Sequence, residues 1–171
     1  GSATPGGAAA ELIPLQTLLA PATNLAPQVS PDGRWISFLR PVEGALNLFV
    51  APVDSIDAAR PVTTRRGRGL QAFDVSGNVL YRWTPDSRRI LFASNRGGDW
   101  DIYSQSADGS GSAEVLLKRP YDQYPYHVSA DGTLLYVEIQ PSTGRDLWTL
   151  SPEGKVSPLR VTRFNEIAAQ F

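Results

Sequence analysis

Three copies of one pattern run through this chain in an ungapped register. Ser30-Pro31-Asp32-Gly33, Thr84-Pro85-Asp86-Ser87 and Ser129-Ala130-Asp131-Gly132 each follow an apolar residue: Val29, Trp83 and Val128. Seventeen positions after each turn begins stand Asn47-Leu48-Phe49, Asp101-Ile102-Tyr103 and Asp146-Leu147-Trp148 (30 to 47, 84 to 101, 129 to 146). Seven positions further on, Asp54, Asp108 and Glu153 each open another turn. The Asp residues cap the turns, and glycine takes the left-handed position that most side chains avoid. Between the turns lie short runs rich in β-branched, aromatic and aliphatic residues, such as Trp35-Ile36-Ser37-Phe38-Leu39 and Arg89-Ile90-Leu91-Phe92-Ala93. Four such runs per copy, joined by hairpins, predict four antiparallel strands per unit. A unit of that size cannot bury its own apolar faces, so neighbouring units must stack. The expected fold is all-β: a β-propeller, partial, of three four-stranded blades plus one extra innermost strand.

The repeat also sets expected boundaries. Residues 1–12 read as a flexible segment and 13–171 as propeller, with blades at about 26–66, 67–120 and 121–163. Residues 164–171 read as the first strand of a further blade, Phe171 standing where Val29, Trp83 and Val128 stand. In the second strand of each blade, Ile36, Ile90 and Leu135 form one expected buried column, and Phe38, Phe92 and Val137 another. The first and second turns are 54 residues apart and the second and third 45 (30 to 84, 84 to 129), so the link from Thr64 to Tyr81 is the long one. A three-bladed arc leaves two apolar blade faces, and a homodimer closing a six-bladed ring is one expected way to cover them.

Composition narrows the function classes. The net charge of −1 gives no general attraction to nucleic acid, and the basic Arg65-Arg66-Gly67-Arg68 is a local loop. No apolar run approaches the length of a membrane helix. Without cysteine there is no disulfide, thiolate metal site or cysteine nucleophile. Asn95-Arg96-Gly97-Gly98 suggests a phosphate loop, but an extended strand follows where such a loop needs a helix N-terminus. Asp99 and Asp101 do not supply the spaced oxygens of a calcium loop. The expectation is therefore no metal and no cofactor.

Nor do the residues assemble a catalytic set. There is no Gly-x-Ser-x-Gly elbow, and the single histidine, His127, stands two residues before Ser129 with no third group to orient it. His127 falls in a column with Gln28, Arg82 and Gln170, polar in every copy beside an apolar neighbour. These four are the candidate ligand contacts, on the channel edge of the innermost strands. The column Phe49, Tyr103 and Trp148 reads as core packing between blades rather than a stacking platform.

The run from an apolar residue through Ser-Pro-Asp-Gly and an aliphatic strand to Ser94-Asn95-Arg96-Gly97-Gly98 and Asp101-Ile102-Tyr103 resembles the TolB-type propeller repeat. Ile13 to Leu19, Ala26 to Gly33 and Leu46 to Asp54 further resemble the start of the propeller in prolyl-oligopeptidase-family serine peptidases. In that family the propeller precedes an α/β-hydrolase domain and gates or anchors the substrate. The resemblance implies a non-catalytic module for protein interaction or substrate gating, in the periplasm or secreted. It implies as alternatives the N-terminal propeller of such a peptidase, or the sensor propeller of a kinase or transcription regulator. Its expected partner is another protein or a further domain of the same protein.

Overall fold

A computed structural model describes residues 24–64, 66, 70 and 80–160. Among these residues, twelve strands form three four-stranded antiparallel sheets, each ordered as in the chain. The first blade holds β1 (Leu25–Val29), β2 (Trp35–Val42), β3 (Ala45–Pro52) and β4 (Arg60–Pro61). The second holds β5 (Tyr81–Trp83), β6 (Arg89–Ser94), β7 (Asp101–Ser106) and β8 (Glu114–Leu117). The third holds β9 (Asp122–Val128), β10 (Leu134–Gln140), β11 (Gly144–Leu150) and β12 (Val156–Arg160). Among the described residues, one 3-10 turn at Ile56–Ala58 is the single helical element, and no helix is long and apolar enough to cross a membrane.

The repeated turn has one chemistry. Ser30 Oγ donates to Asp32 Oδ1 at 2.6 Å, Thr84 Oγ1 to Asp86 Oδ1 at 2.6 Å, and Ser129 Oγ to Asp131 Oδ1. The same carboxylates accept the amides of Arg34, Arg88 and Thr133. Those hydrogen bonds, the hydroxyl's first, hold all three carboxyls below the usual aspartate range. Gly33 and Gly132 take the left-handed position at φ 71° and 89°, and in the middle blade Ser87 takes it at φ 58°. The serine has a reason to be there: its Oγ accepts the Asp32 amide at 3.0 Å, tying the second blade to the first. Left-handed backbone costs a non-glycine residue roughly 1–2 kcal/mol, and the hydrogen bond returns about 0.5–1.5 kcal/mol. Ser87→Gly should therefore be close to neutral, while Ser87→Ala keeps the strain, loses the bond and should lower the thermal midpoint clearly.

Alternate residues of each central strand face opposite neighbours. Leu39, Leu48 and Val50 of the first blade meet Ile90, Phe92 and Tyr103 of the second. Leu91, Ile102 and Leu117 of the second meet Leu134, Tyr136 and Leu150 of the third. Cross-strand aromatic pairs stand at the centre of the first two blades: Phe38 on Phe49 (centroids 6.1 Å apart) and Phe92 on Tyr103 (6.3 Å). In the third blade Tyr136 is opposite Trp148. An arginine covers each pair: Arg40 over Phe38 and Phe49, Arg96 over Phe92 and Tyr103, Arg119 over Trp148 at 4.5 Å.

The third blade departs from the expected columns by one residue. Ser30 and Thr84 close their hairpins on the carbonyls of Trp35 and Arg89, five residues on, but Ser129 closes on Thr133, four residues on. β10 is thereby advanced by one. Leu134 and Tyr136, not Leu135 and Val137, are the structural counterparts of Ile36/Ile90 and Phe38/Phe92. All eight of these side chains are buried, those of Leu135 and Val137 on the opposite face of the strand.

Candidate functional site

Gln28, Arg82 and His127 lie on the first strands of the three blades, as the repeat places them; Gln170 lies outside the described residues. The first two do the same job. Gln28 Nε2 donates to the carbonyl of Tyr81, at 3.0 Å, and Arg82 Nε donates to the carbonyl of Tyr126. Each side chain thus reaches the residue just before its own counterpart in the next blade. Arg82 also donates from Nη1 to the Tyr81 carbonyl at 2.7 Å, and burial lowers the pKa of its guanidinium. The polar column is therefore, at two of its positions, a clamp between neighbouring first strands. His127 is half-buried and paired across the ladder with Leu135.

Beside the column the first seam is polar as well as apolar. The Tyr81 hydroxyl, fully buried, donates to the Ala26 carbonyl and lies 3.1 Å from the Ser37 carbonyl. Burial pushes its pKa up. Trp83 Nε1 donates to Ser37 Oγ at 2.8 Å. Sequence reasoning did not single out Tyr81, whose one signal was a tyrosine beside the polar column.

Ser129 is not placed as a nucleophile. Its Oγ serves the turn, between Asp131 and the Thr133 carbonyl at 3.0 Å, as Ser30 and Thr84 do in theirs. The glycine loop of the middle blade faces a buried carboxylate: a Cβ on Gly97 would stand 3.4 Å from Asp101 Oδ2 and 3.3 Å from the Tyr103 hydroxyl. Asp101 is fully buried, with Lys118 Nζ 3.7 Å away, and desolvation raises its pKa. Among the described residues, no three His, Cys, Asp or Glu side chains gather as a metal site.

The sequence did not reveal the groove between the second and third blades. It has a volume of about 610 Å³, with a floor of Leu91, Leu134 and Leu150 and a rim that includes Asp86, Glu114 and Asp131. In the preceding seam Trp83 and Trp35 occupy part of the corresponding space and leave about 350 Å³. At the repeat-equivalent positions here stand Val128 and Arg89.

No family model matches the chain. A dipeptidyl aminopeptidase BIII of Pseudoxanthomonas mexicana is 32% identical over 114 residues, which is 66% of this chain and 15% of that protein. The solved TolB of Acinetobacter baumannii superposes over 84% of this chain and 34% of its own, with a TM-score of 0.64 and 24% identity. A puromycin-hydrolyzing peptidase of Mycobacterium tuberculosis superposes over 80% of this chain and 22% of its own, with a TM-score of 0.57 and 18% identity. The chain thus spans a minor part of each of these proteins. What it shares with them is the β-propeller, and its blades are of the kind found in TolB and in the propellers of prolyl-oligopeptidase-family peptidases.

Proposed function

We propose that this chain is a non-catalytic propeller that binds peptide and controls its access to a serine peptidase of the dipeptidyl aminopeptidase kind, outside the cytoplasm. The observation that carries this reading is the 32% identity over 114 residues to a dipeptidyl aminopeptidase. The arrangement of the side chains supports the non-catalytic part. The hydroxyl of Ser129 serves its turn, Arg82 is engaged by backbone carbonyls, and no nucleophile elbow occurs in the sequence. Peptide contact is assigned to the first strands of the blades, around Arg82 and His127. A second reading is a TolB-like module outside any peptidase, on the superposition with TolB at a TM-score of 0.64.

Calorimetric titration of the purified chain with tetra-alanine tests the first reading. Saturable binding is expected, with the recovered peptide intact and dipeptidyl-p-nitroanilides left unhydrolysed. Absence of binding would contradict the substrate role. Turnover that disappears in His127→Ala would contradict the non-catalytic one.

A further inference from the structure

The groove between the second and third blades, about 610 Å³, is wider than its counterpart one seam earlier, where Trp83 and Trp35 narrow the space to about 350 Å³. In the first seam, Trp83 is buried with its indole N–H on Ser37, and Trp35 packs beside it with the Arg60 guanidinium 5.0 Å over its ring. In the second seam Val128 replaces Trp83 and Leu91 replaces Ser37, which leaves more room over a more apolar floor, with Ser104 beside it. Arg89 replaces Trp35, and Glu114 replaces Arg60. The stacked indole and cation become an ion pair at the rim, 3.0 Å long. What the second seam lacks, compared with the first, is the pair of indoles and the cation stacked on one of them.

The surroundings specify the rest. Arg89 and Glu114 offset each other, so Asp86 and Asp131 leave the rim negative; Arg88, beside Asp86, lies along the other seam. One wall is β8, which among the described residues pairs with β7 alone and so presents an open backbone edge. Its Val115 and Leu116 are 52% and 40% exposed, adjacent apolar side chains at the lip of the groove. Open strand edges take up extended peptide, and alternate side chains of the added strand enter neighbouring pockets. The groove's volume lies in the usual range of pockets that take such groups.

We propose that this groove is a docking site for an extended segment of a partner protein that carries an aromatic side chain beside lysine or arginine. The segment adds to β8, its ring enters the space above Leu91 and Leu134, and its cation meets Asp86 and Asp131. This site is separate from the peptide contacts on the first strands, and it stands whether or not the peptidase reading does.

The test is an NMR titration of the chain with the acetylated and amidated tripeptide Lys-Trp-Lys, whose blocked amine cannot mimic a substrate N-terminus. Saturable shifts are expected at the amides of β8 and at Leu134, with Lys-Ala-Lys and Glu-Trp-Glu each weaker by about tenfold or more. Val128→Trp restores the indole of the preceding seam and should abolish this binding, while His127→Ala leaves it intact. Arg89→Trp fills the space from the other wall and serves as the second blocking variant should the first not fold, which circular dichroism decides. Undiminished binding to a folded blocking variant, or equal affinity for Lys-Ala-Lys, overturns the proposal. Tryptamine binding as tightly as the tripeptide overturns the strand-addition part of it.

Discussion

Truncating Phe92 to alanine should destabilise the protein by about 3–5 kcal/mol, the usual cost of removing a buried phenylalanine. Phe92 is 1% exposed, stacks on Tyr103, and has the Arg96 guanidinium 5.4 Å over its ring. It also belongs to the cluster joining the first and second blades. The loss therefore falls on the blade and on the seam together. A domain of this size has a total stability of roughly 5–15 kcal/mol, so the variant should unfold at far lower denaturant. Arg66→Ala is the matched control. Its ion pair with Glu43 joins side chains that are 86% and 60% exposed, and a pair in that setting contributes about 0–1 kcal/mol. Similar denaturation midpoints for the two variants would contradict the assignment of Phe92 to the seam.

The second large effect is expected at Arg119. Glu138 is completely buried and bonded to Arg119 through both carboxylate oxygens, with Gln140 Nε2 adding a 2.6 Å bond. Breaking a buried pair from one side leaves an uncompensated charge and costs on the order of 3–5 kcal/mol. Arg119→Ala also uncovers the face of Trp148. The retained Gln140 bond places the loss toward the lower end of that range. Adding Glu138→Gln to Arg119→Ala removes the stranded charge and should recover part of the stability in urea unfolding. A double variant no more stable than the single one would show that packing on Trp148, not charge, dominates.

The blades were legible in the sequence because their chemistry repeats. Ser30, Thr84 and Ser129 each sit two residues before an aspartate that they bond, and the strand lengths between turns leave little choice of hairpin. The one-residue advance of β10 was not legible. Leu134-Leu135-Tyr136-Val137 is apolar at every position, and both faces of that strand are buried. Register is set by a contrast between faces, and none exists here. The one signal was the aromatic Tyr136, which matches Phe38 and Phe92 in kind but not in spacing.

The polar column was legible as a column, since Gln28, Arg82 and His127 fall on equivalent strands. Its use as a clamp was not, because the acceptors are backbone carbonyls of the next blade, which carry no sequence signature. The groove was hidden for a different reason. Val128 and Arg89 are ordinary residues, and they mean something only beside Trp83 and Trp35 in the seam before.

The most direct measurement is a two-dimensional NMR titration of the isotopically labelled chain with tetra-alanine, the peptide analysed by mass spectrometry afterwards. A peptide-binding propeller without chemistry of its own predicts saturable shifts concentrated on β5 and β9 around Arg82 and His127, with the peptide recovered whole. Cleaved peptide, or a spectrum unchanged at those strands, would contradict it.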